Sequence, residues 1–328
     1  MKRSGNLWET LTSFGHLHQA FHQARKGSSR SPEAHAYFFH LEKALFSLQS
    51  ELKEGAYMPS PYRYFRIYDP KERVISVAPF KDRVVHHAVV RLMEPIYERC
   101  FIFDSYATRK NKGTHAAIHR AQEFLRENRW FFKTDIDQYF ASIRHDRLRE
   151  ILARKIKDPQ FLALIEKIIR NGGENGVGLP IGNLTSQFLA NVYLNSFDHF
   201  VKEELKVKAY LRYMDDFVLF SEDKNHLKAW RGEVEDYLRT TLAVELKPSA
   251  SFFNQRLNGL RFLGARIFPD LVRIHPENLR RCIKRMKAAE SALAKDEMTG
   301  EEWLLSLESR RAGDKDRGQN AHFGESRE

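Results

Sequence analysis

Cysteine is nearly absent. Cys100 and Cys282 are the only two in 328 residues, and no Cys-x-x-Cys or Cys/His spacing surrounds them. A disulfide framework and a structural zinc site are therefore both unsupported, which fits a reducing compartment. No apolar run approaches the roughly 20 residues that a membrane span needs. The start, Met1-Lys2-Arg3-Ser4-Gly5-Asn6-Leu7, has no apolar signal core, so the expectation is a cytoplasmic protein with no membrane partner. The glycine-rich stretch 171–178 lacks the Gly-Lys-Ser/Thr ending of a phosphate-cradling P-loop, which leaves turn chemistry for its glycines. No internal repeat is visible. Acidic residues are in the minority, 43 against 54 Lys and Arg, and the formal net charge is +11. Clustered cations displace counterions from phosphates, so nucleic acid is the leading partner class.

What is present describes a globular chain. Apolar residues make up 42% and aromatics 12%, enough to fold two or three packed subdomains. Residues 6–57 read as helical around a break at 26–32, with Leu41, Leu45 and Leu48 at helical spacing. Tyr64–Tyr68 and Arg73–Val77 read as short strands, joined by a turn at Asp69 and Pro70. Helical periodicity returns over 81–98 and 114–127. Trp130-Phe131-Phe132 opens a strand that runs into acidic residues. Leu189, Tyr193, Phe197 and Phe200, at steps of four, four and three, predict a helix, and strands are expected near 209–220 and 260–275. Strands and helices mix without strict alternation, which points to α+β. His115 and His119 lie four apart on a predicted helix, but no Glu or Cys partner follows at recognised spacing, so they read as polar helix-face residues.

The sharpest local feature is Leu211-Arg212-Tyr213-Met214-Asp215-Asp216-Phe217-Val218-Leu219-Phe220, where two carboxylates interrupt an apolar hairpin-like segment. Asp is a common turn residue, and taken alone the pair is explained that way. A second acidic strand end, Lys133-Thr134-Asp135-Ile136-Asp137, changes the weighing, because it would bring a third carboxylate to the same pole of a sheet. Like charges this close raise one another's pKa unless a cation neutralises them, and Mg²⁺ is the hard, oxygen-seeking candidate. Two-metal phosphoryl transfer needs such a cluster, with ions about 3.5–4 Å apart. Asp137 reads as a solvated strand-end charge.

With these residues in place the chain resembles reverse transcriptases. Tyr213-Met214-Asp215-Asp216 matches their most recognisable catalytic box and follows Asp135 in the expected order. The resemblance runs from about Tyr64 to Phe268 and includes Asp82-Arg83-Val84-Val85 and Phe262-Leu263-Gly264. It implies an RNA-directed DNA polymerase with a right-hand fold. The implied layout is an N-terminal helical extension over 1–60, fingers over 61–129 and the first part of the palm over 130–145. A fingers–palm connection over 146–177, the second part of the palm over 178–268 and a short helical thumb over 269–308 complete it, while the tail over 309–328, with almost no apolar residues, reads as disordered on composition. By the same resemblance Asp135 and Asp215 would bridge two Mg²⁺ ions, Asp216 would support them, and the Ile136 carbonyl would complete one shell. Phe140 would be an aromatic gate against a ribose 2′-hydroxyl. Arg73, with Lys71 beside it, would grip the incoming deoxynucleoside triphosphate, and Lys247 lies near where a family lysine protonates departing pyrophosphate. Arg83 and Arg109 fall among fingers or template-backbone residues.

Gly178-Leu179-Pro180-Ile181-Gly182-Asn183-Leu184-Thr185-Ser186-Gln187 departs from the Gln-Gly and Ser-Pro pairs of intron and retron enzymes at Ile181 and Gln187. That variant, with Tyr106 to His115, resembles the reverse transcriptases of diversity-generating retroelements. The implied role is error-prone copying of a template-repeat RNA at adenines, the mutated cDNA replacing a variable repeat in mutagenic retrohoming. An apolar Ile181 beside the nucleotide would remove a polar contact worth about 1–3 kcal/mol of discrimination. On residue type alone, Ile181 packs in a core. The resemblance also implies a basic accessory variability protein. The alternatives are a retron, group II intron, CRISPR-associated or phage-defence enzyme, or an RNA-binding scaffold without catalysis.

Overall fold

The computed structural model describes residues 3–26, 28, 31–68, 72–173, 175–274, 276–295, 298–300 and 303–304. In chain order these form α1 (Leu7–Leu11), α2 (Phe14–Lys26), α3 (Pro32–Phe39), α4 (Leu41–Lys53), β1 (Arg63–Ile67), β2 (Arg73–Val77), α5 (Phe80–Glu98) and α6 (Thr114–Glu127). Next come β3 (Trp130–Asp135), α7 (Tyr139–Ser142), α8 (His145–Ala153), α9 (Pro159–Arg170), α10 (Leu184–Tyr193) and α11 (Asn195–His199). The remainder is β4 (Tyr210–Tyr213), β5 (Asp216–Ser221), α12 (Lys224–Tyr237), β6 (Phe252–Gln255), β7 (Leu260–Phe262), β8 (Ala265–Ile267), β9 (Val272–Ile274) and α13 (Pro276–Ala294). The turn expected at Asp69 and Pro70 and the tail from Ser309 lie outside the described residues.

The chain divides into two compact units. The first comprises Met1–Phe103, Ile136–Lys206 and Glu233–Lys247. Its centre is α5, which packs against α1, α2, α3 and α10. Val84, Val85, Ala88, Val89 and Met93 on α5 and Leu17, Phe21 and Ala24 on α2 are buried. Their three- and four-residue spacing forms the stripes that meet, each fully buried large side chain contributing about 1.5–3 kcal/mol. Asp82, buried on the first turn of α5, accepts hydrogen bonds from the Tyr57 hydroxyl at 2.7 Å and the Ser60 N–H at 2.9 Å. Pro159 opens α9 and the Asp158 carboxylate caps it through the Phe161 N–H at 3.2 Å. The β1–β2 hairpin is antiparallel, with Arg63 opposite Val77 and Ile67 opposite Arg73. Where the four-four-three spacing predicts one helix through Phe200, the chain instead breaks at Leu194 and ends in a wide π turn over Phe200–Glu204. Leu189, Tyr193 and Phe197 stay buried, and the Phe200 ring stacks on Tyr237 at 4.2 Å.

The second unit comprises Asp104–Asp135, Val207–Gly232 and Pro248–Glu328. A four-stranded antiparallel sheet of order β4-β5-β3-β6 forms its body. Alternation puts Phe131, Leu211, Val218 and Phe220 on one face, in a cluster with Ala117, Ile118, Ala121, Phe124 and Leu125 of α6. Leu260, Phe262, Ala265 and Ile267, from the small β7-β8-β9 sheet, complete that core. Strand β6 has no counterpart in the sequence reading, because Phe252-Phe253-Asn254-Gln255 is short and half polar. It is a strand because β3 pairs with it from Trp130–Gln255 to Lys133–Phe252. No helix among the described residues is long and apolar enough to cross a membrane.

Candidate active site

The acidic hairpin is built by strand register. Tyr213 pairs with Asp216 across β4 and β5, so Met214 and Asp215 form a two-residue turn. Such turns match the twist of their strands when a central residue takes positive φ. Met214 does so at φ 59°, a conformation that costs a side-chain-bearing residue roughly 1–2 kcal/mol. The fully buried Arg212 holds this turn, donating Nη1 to the Met214 carbonyl at 2.9 Å and Nη2 to the Ser105 hydroxyl at 3.3 Å. Backbone bonds from Arg212 N–H to the Asp104 carbonyl and from Tyr106 N–H to the Arg212 carbonyl, both 2.9 Å, lay 104–106 alongside β4.

Asp135 ends β3 directly opposite Asp216. Side chains so paired share a face with their Cβ atoms about 4.5–5.5 Å apart, an unfavourable juxtaposition for two carboxylates. Lys133 lies two residues back on the same face, and its Nζ is 2.8 Å from Asp216 Oδ1. Asp135 Oδ1 is buried with no hydrogen-bond partner among the described residues. Burial pushes the Asp216 carboxyl up to about 7; Lys133 opposes that shift, and Asp135 and Asp215 reinforce it. These are hard oxygen donors short of cationic charge, a set that fits a divalent ion of the Mg²⁺ kind. Lys133 plays the cation's part toward Asp216, and no three His, Cys, Asp or Glu side chains among the described residues stand at ligand spacing.

Arg109 belongs to the second unit, where its Nη1 donates to the Ser105 carbonyl at 2.8 Å, and the other sequence candidates belong to the first. Ile136 is buried and forms an antiparallel bridge with Leu246. Asp137 donates its N–H to the Glu245 carbonyl at 2.8 Å, and its Oδ1 lies 3.7 Å from Lys247 Nζ. The strand-end charge is thus a half-exposed ion pair with one of the candidate lysines. Phe140 is half-buried on α7, its ring edge-on to Tyr139 at 5.8 Å, and its carbonyl accepts the Leu179 N–H at 2.7 Å. Ile181 is 37% exposed rather than packed in a core, and its carbonyl accepts the Ser76 N–H of β2 at 2.7 Å. Asn183 Nδ2 donates to the Ser76 carbonyl at 3.2 Å. Between them Gly182 has φ +112°, and a Cβ there would lie 2.7 Å from Ile75 Cγ2 and 2.9 Å from the Ser76 carbonyl. The 181–183 turn is therefore clamped onto β2, whose first residue, Arg73, is exposed. Gln187 is exposed on α10. Lys71 lies outside the described residues. Sequence reasoning passed over Lys133, Arg212 and the close approach at Gly182. The available signals were a cation two residues before an acid in an alternating strand, and a lone Arg inside an apolar one.

Antiparallel strands that carry carboxylates at a hairpin turn and on the facing strand, in a chain of mixed helices and sheets, define the right-hand class of polymerase fold. The family described as "Reverse transcriptase (RNA-dependent DNA polymerase)" matches residues 68–267, more than half of the chain, and the chain belongs to it. Protein YkfC of Escherichia coli strain K12 is 30% identical over 67% of this chain and 70% of its own length. The group II intron-encoded protein LtrA of Lactococcus lactis subsp. cremoris is 34% identical over 51% of this chain. Only 29% of LtrA is covered, so the chain spans under a third of that relative. In fold it is similar to apo telomerase from Candida tropicalis truncated from its C-terminal domain. That likeness has a TM-score of 0.50 at 13% identity and covers 72% of this chain and 60% of the telomerase.

Proposed function

We propose that this chain copies an RNA template into cDNA with Asp135, Asp215 and Asp216 as its catalytic carboxylates. The observation that carries the reading is the register of Asp135 against Asp216 beside the Asp215 turn, in a member of the reverse transcriptase family. Asp135 and Asp215, with the Ile136 carbonyl, would hold two Mg²⁺ ions, and Asp216 would support them. When bound, such ions activate a primer 3′-hydroxyl and stabilise departing pyrophosphate. Lys133 balances the charge of Asp216. Arg73, with Lys71, grips the triphosphate of the incoming deoxynucleotide, and Phe140 excludes a ribose 2′-hydroxyl. Lys247 supplies a proton to the leaving group. The corresponding layout is fingers over 61–129, palm over 130–145 and 178–268, and a short thumb over 269–308. Primer extension on an RNA template with Mg²⁺ tests the reading: Asp215→Ala is expected to abolish synthesis, and equal synthesis by both proteins would remove Asp215 from catalysis.

The finer reading is an error-prone enzyme of a diversity-generating retroelement, acting in the cytoplasm with an accessory variability protein. Ile181 and Gln187 in the 178–187 segment support it, as does the exposure of the Ile181 side chain, which is available to a nucleotide. A second reading, a group II intron-type enzyme, is favoured by the 34% identity to LtrA. Sequencing cDNA made by wild type and Ile181→Gln separates them. The first reading expects adenine-directed errors that fall in the variant, and an unchanged error spectrum sinks it.

A further inference from the structure

The first unit holds a concavity of about 700 Å³ that shares no residue with the candidate active site. Arg3, Arg99, Lys155 and Lys157 line it, and no carboxylate among the described residues does. The N-terminal segment builds one wall by pairing with the chain ahead of α9. Ser4 N–H donates to the Lys155 carbonyl at 2.7 Å, and Lys157 N–H donates to the Ser4 carbonyl at 2.9 Å. Gly5 lies against the Lys157 side chain, whose outer carbons a Cβ there would push aside. The adjoining carboxylate, Asp158, is taken up by the Trp8 and Phe161 N–H groups at 2.9 and 3.2 Å.

A second cleft of the same unit supplies the contrast. Its Arg144, Arg149 and Arg170 lie beside Asp146 and Glu166 on its own walls. The pairs Arg144–Asp146, Arg170–Glu166 and Arg149–Glu166 are 2.7, 2.5 and 4.0 Å apart. In that cleft each arginine has a carboxylate within 4.0 Å, Glu166 serving two of them. In the first concavity Arg3, Arg99 and Lys157 make no ion pair among the described residues. Like charges gathered around a hollow repel one another, and a polyanion relieves that repulsion while releasing its own counterions. Leu92 and Ile96, on successive turns of α5, add an apolar wall suited to a ribose or base. We infer that this concavity is a second nucleic-acid site, taking a stretch of single-strand phosphodiester backbone. The inference goes beyond the polymerase reading and does not require it, because it is read by binding alone.

The test uses the full chain and a labelled single-stranded RNA of about 20 nucleotides, longer than a typical single-strand site. Arg99→Glu with Lys157→Glu is expected to raise Kd about tenfold and to flatten the slope of log Kd against log salt by about 1.4, two contacts' worth. The milder pair Arg99→Gln with Lys157→Gln reads the same loss without adding acidic groups, and unchanged thermal melting reports an intact fold. Arg147→Glu with Arg170→Glu, on α8 and α9, makes an identical change in net charge and should leave the slope as it is. An equal loss from this control pair, or wild-type binding by both Arg99/Lys157 pairs, would overturn the inference. Displacement of the RNA by inorganic phosphate far below the effective chloride concentration would also overturn it, in favour of a free-phosphate site. A parallel loss on single-stranded DNA assigns the contacts to the backbone, and a loss confined to RNA adds the 2′-hydroxyl.

Discussion

Two tight turns, one in each unit, meet the same backbone demand in opposite ways. Ile181–Gly182 reaches positive φ with glycine, because the turn lies so close to β2 that a Cβ would collide with Ile75 and Ser76. Met214–Asp215 reaches it with a side-chain-bearing residue, and the cost is offset by the Arg212 guanidinium on the Met214 carbonyl. The first turn is shaped by what presses on it. The second keeps a strain of the kind that concentrates at functional sites, and it presents Asp215 between β4 and β5.

Substitutions sharpen that contrast. The largest effect is expected at the carboxylates: Asp135→Asn should lower the rate of primer extension about 10³-fold, the scale of losing a preorganised charge-stabilising group. The same change should raise the melting temperature in metal-free buffer, because it removes a like charge facing Asp216, and calorimetry beside the kinetic assay would show both. Gly182→Ala should be the most damaging to the fold, destabilising the first unit by about 3 kcal/mol through positive φ and overpacking together. Urea unfolding and loss of amide protection at Ser76 would measure it. Arg212→Met should cost about 2 kcal/mol by leaving the Met214 carbonyl without its charged donor, and should lower extension along with stability. The smallest change is expected for Met214→Gly, within about 1 kcal/mol of wild type, since relief of strain is set against added chain entropy. If Met214→Gly proved as harmful to the fold as Gly182→Ala, the distinction between the two turns would fail.

Much of the site was legible in residue order. Asp215 and Asp216 announce a hairpin end because strand alternation and turn composition are local properties, and Asp135 closes an aromatic strand of the same kind. The α+β class followed from the same patterns. The break at Leu194 was not legible, because Leu189, Tyr193, Phe197 and Phe200 keep an inward spacing whether the helix is continuous or kinked. Strand β6 was hidden for another reason: four residues ending in Asn254-Gln255 carry no periodic signal and become a strand only through β3.

By itself, then, the sequence pointed to the class of chemistry through an acidic trio at two strand ends, a net charge of +11 and a match to the reverse transcriptase family. Tertiary structure alone decided how the charges are balanced. Lys133 on β3 reaches Asp216 on the neighbouring β5, Asn183 reaches Ser76 over 107 residues of chain, and Gly5 lies against Lys157 in a concavity that Arg3 and Arg99 also line. Periodicity reports which face a residue occupies within its own element. It carries no information about which distant element packs there, and charge pairing and close backbone approach depend on that partner.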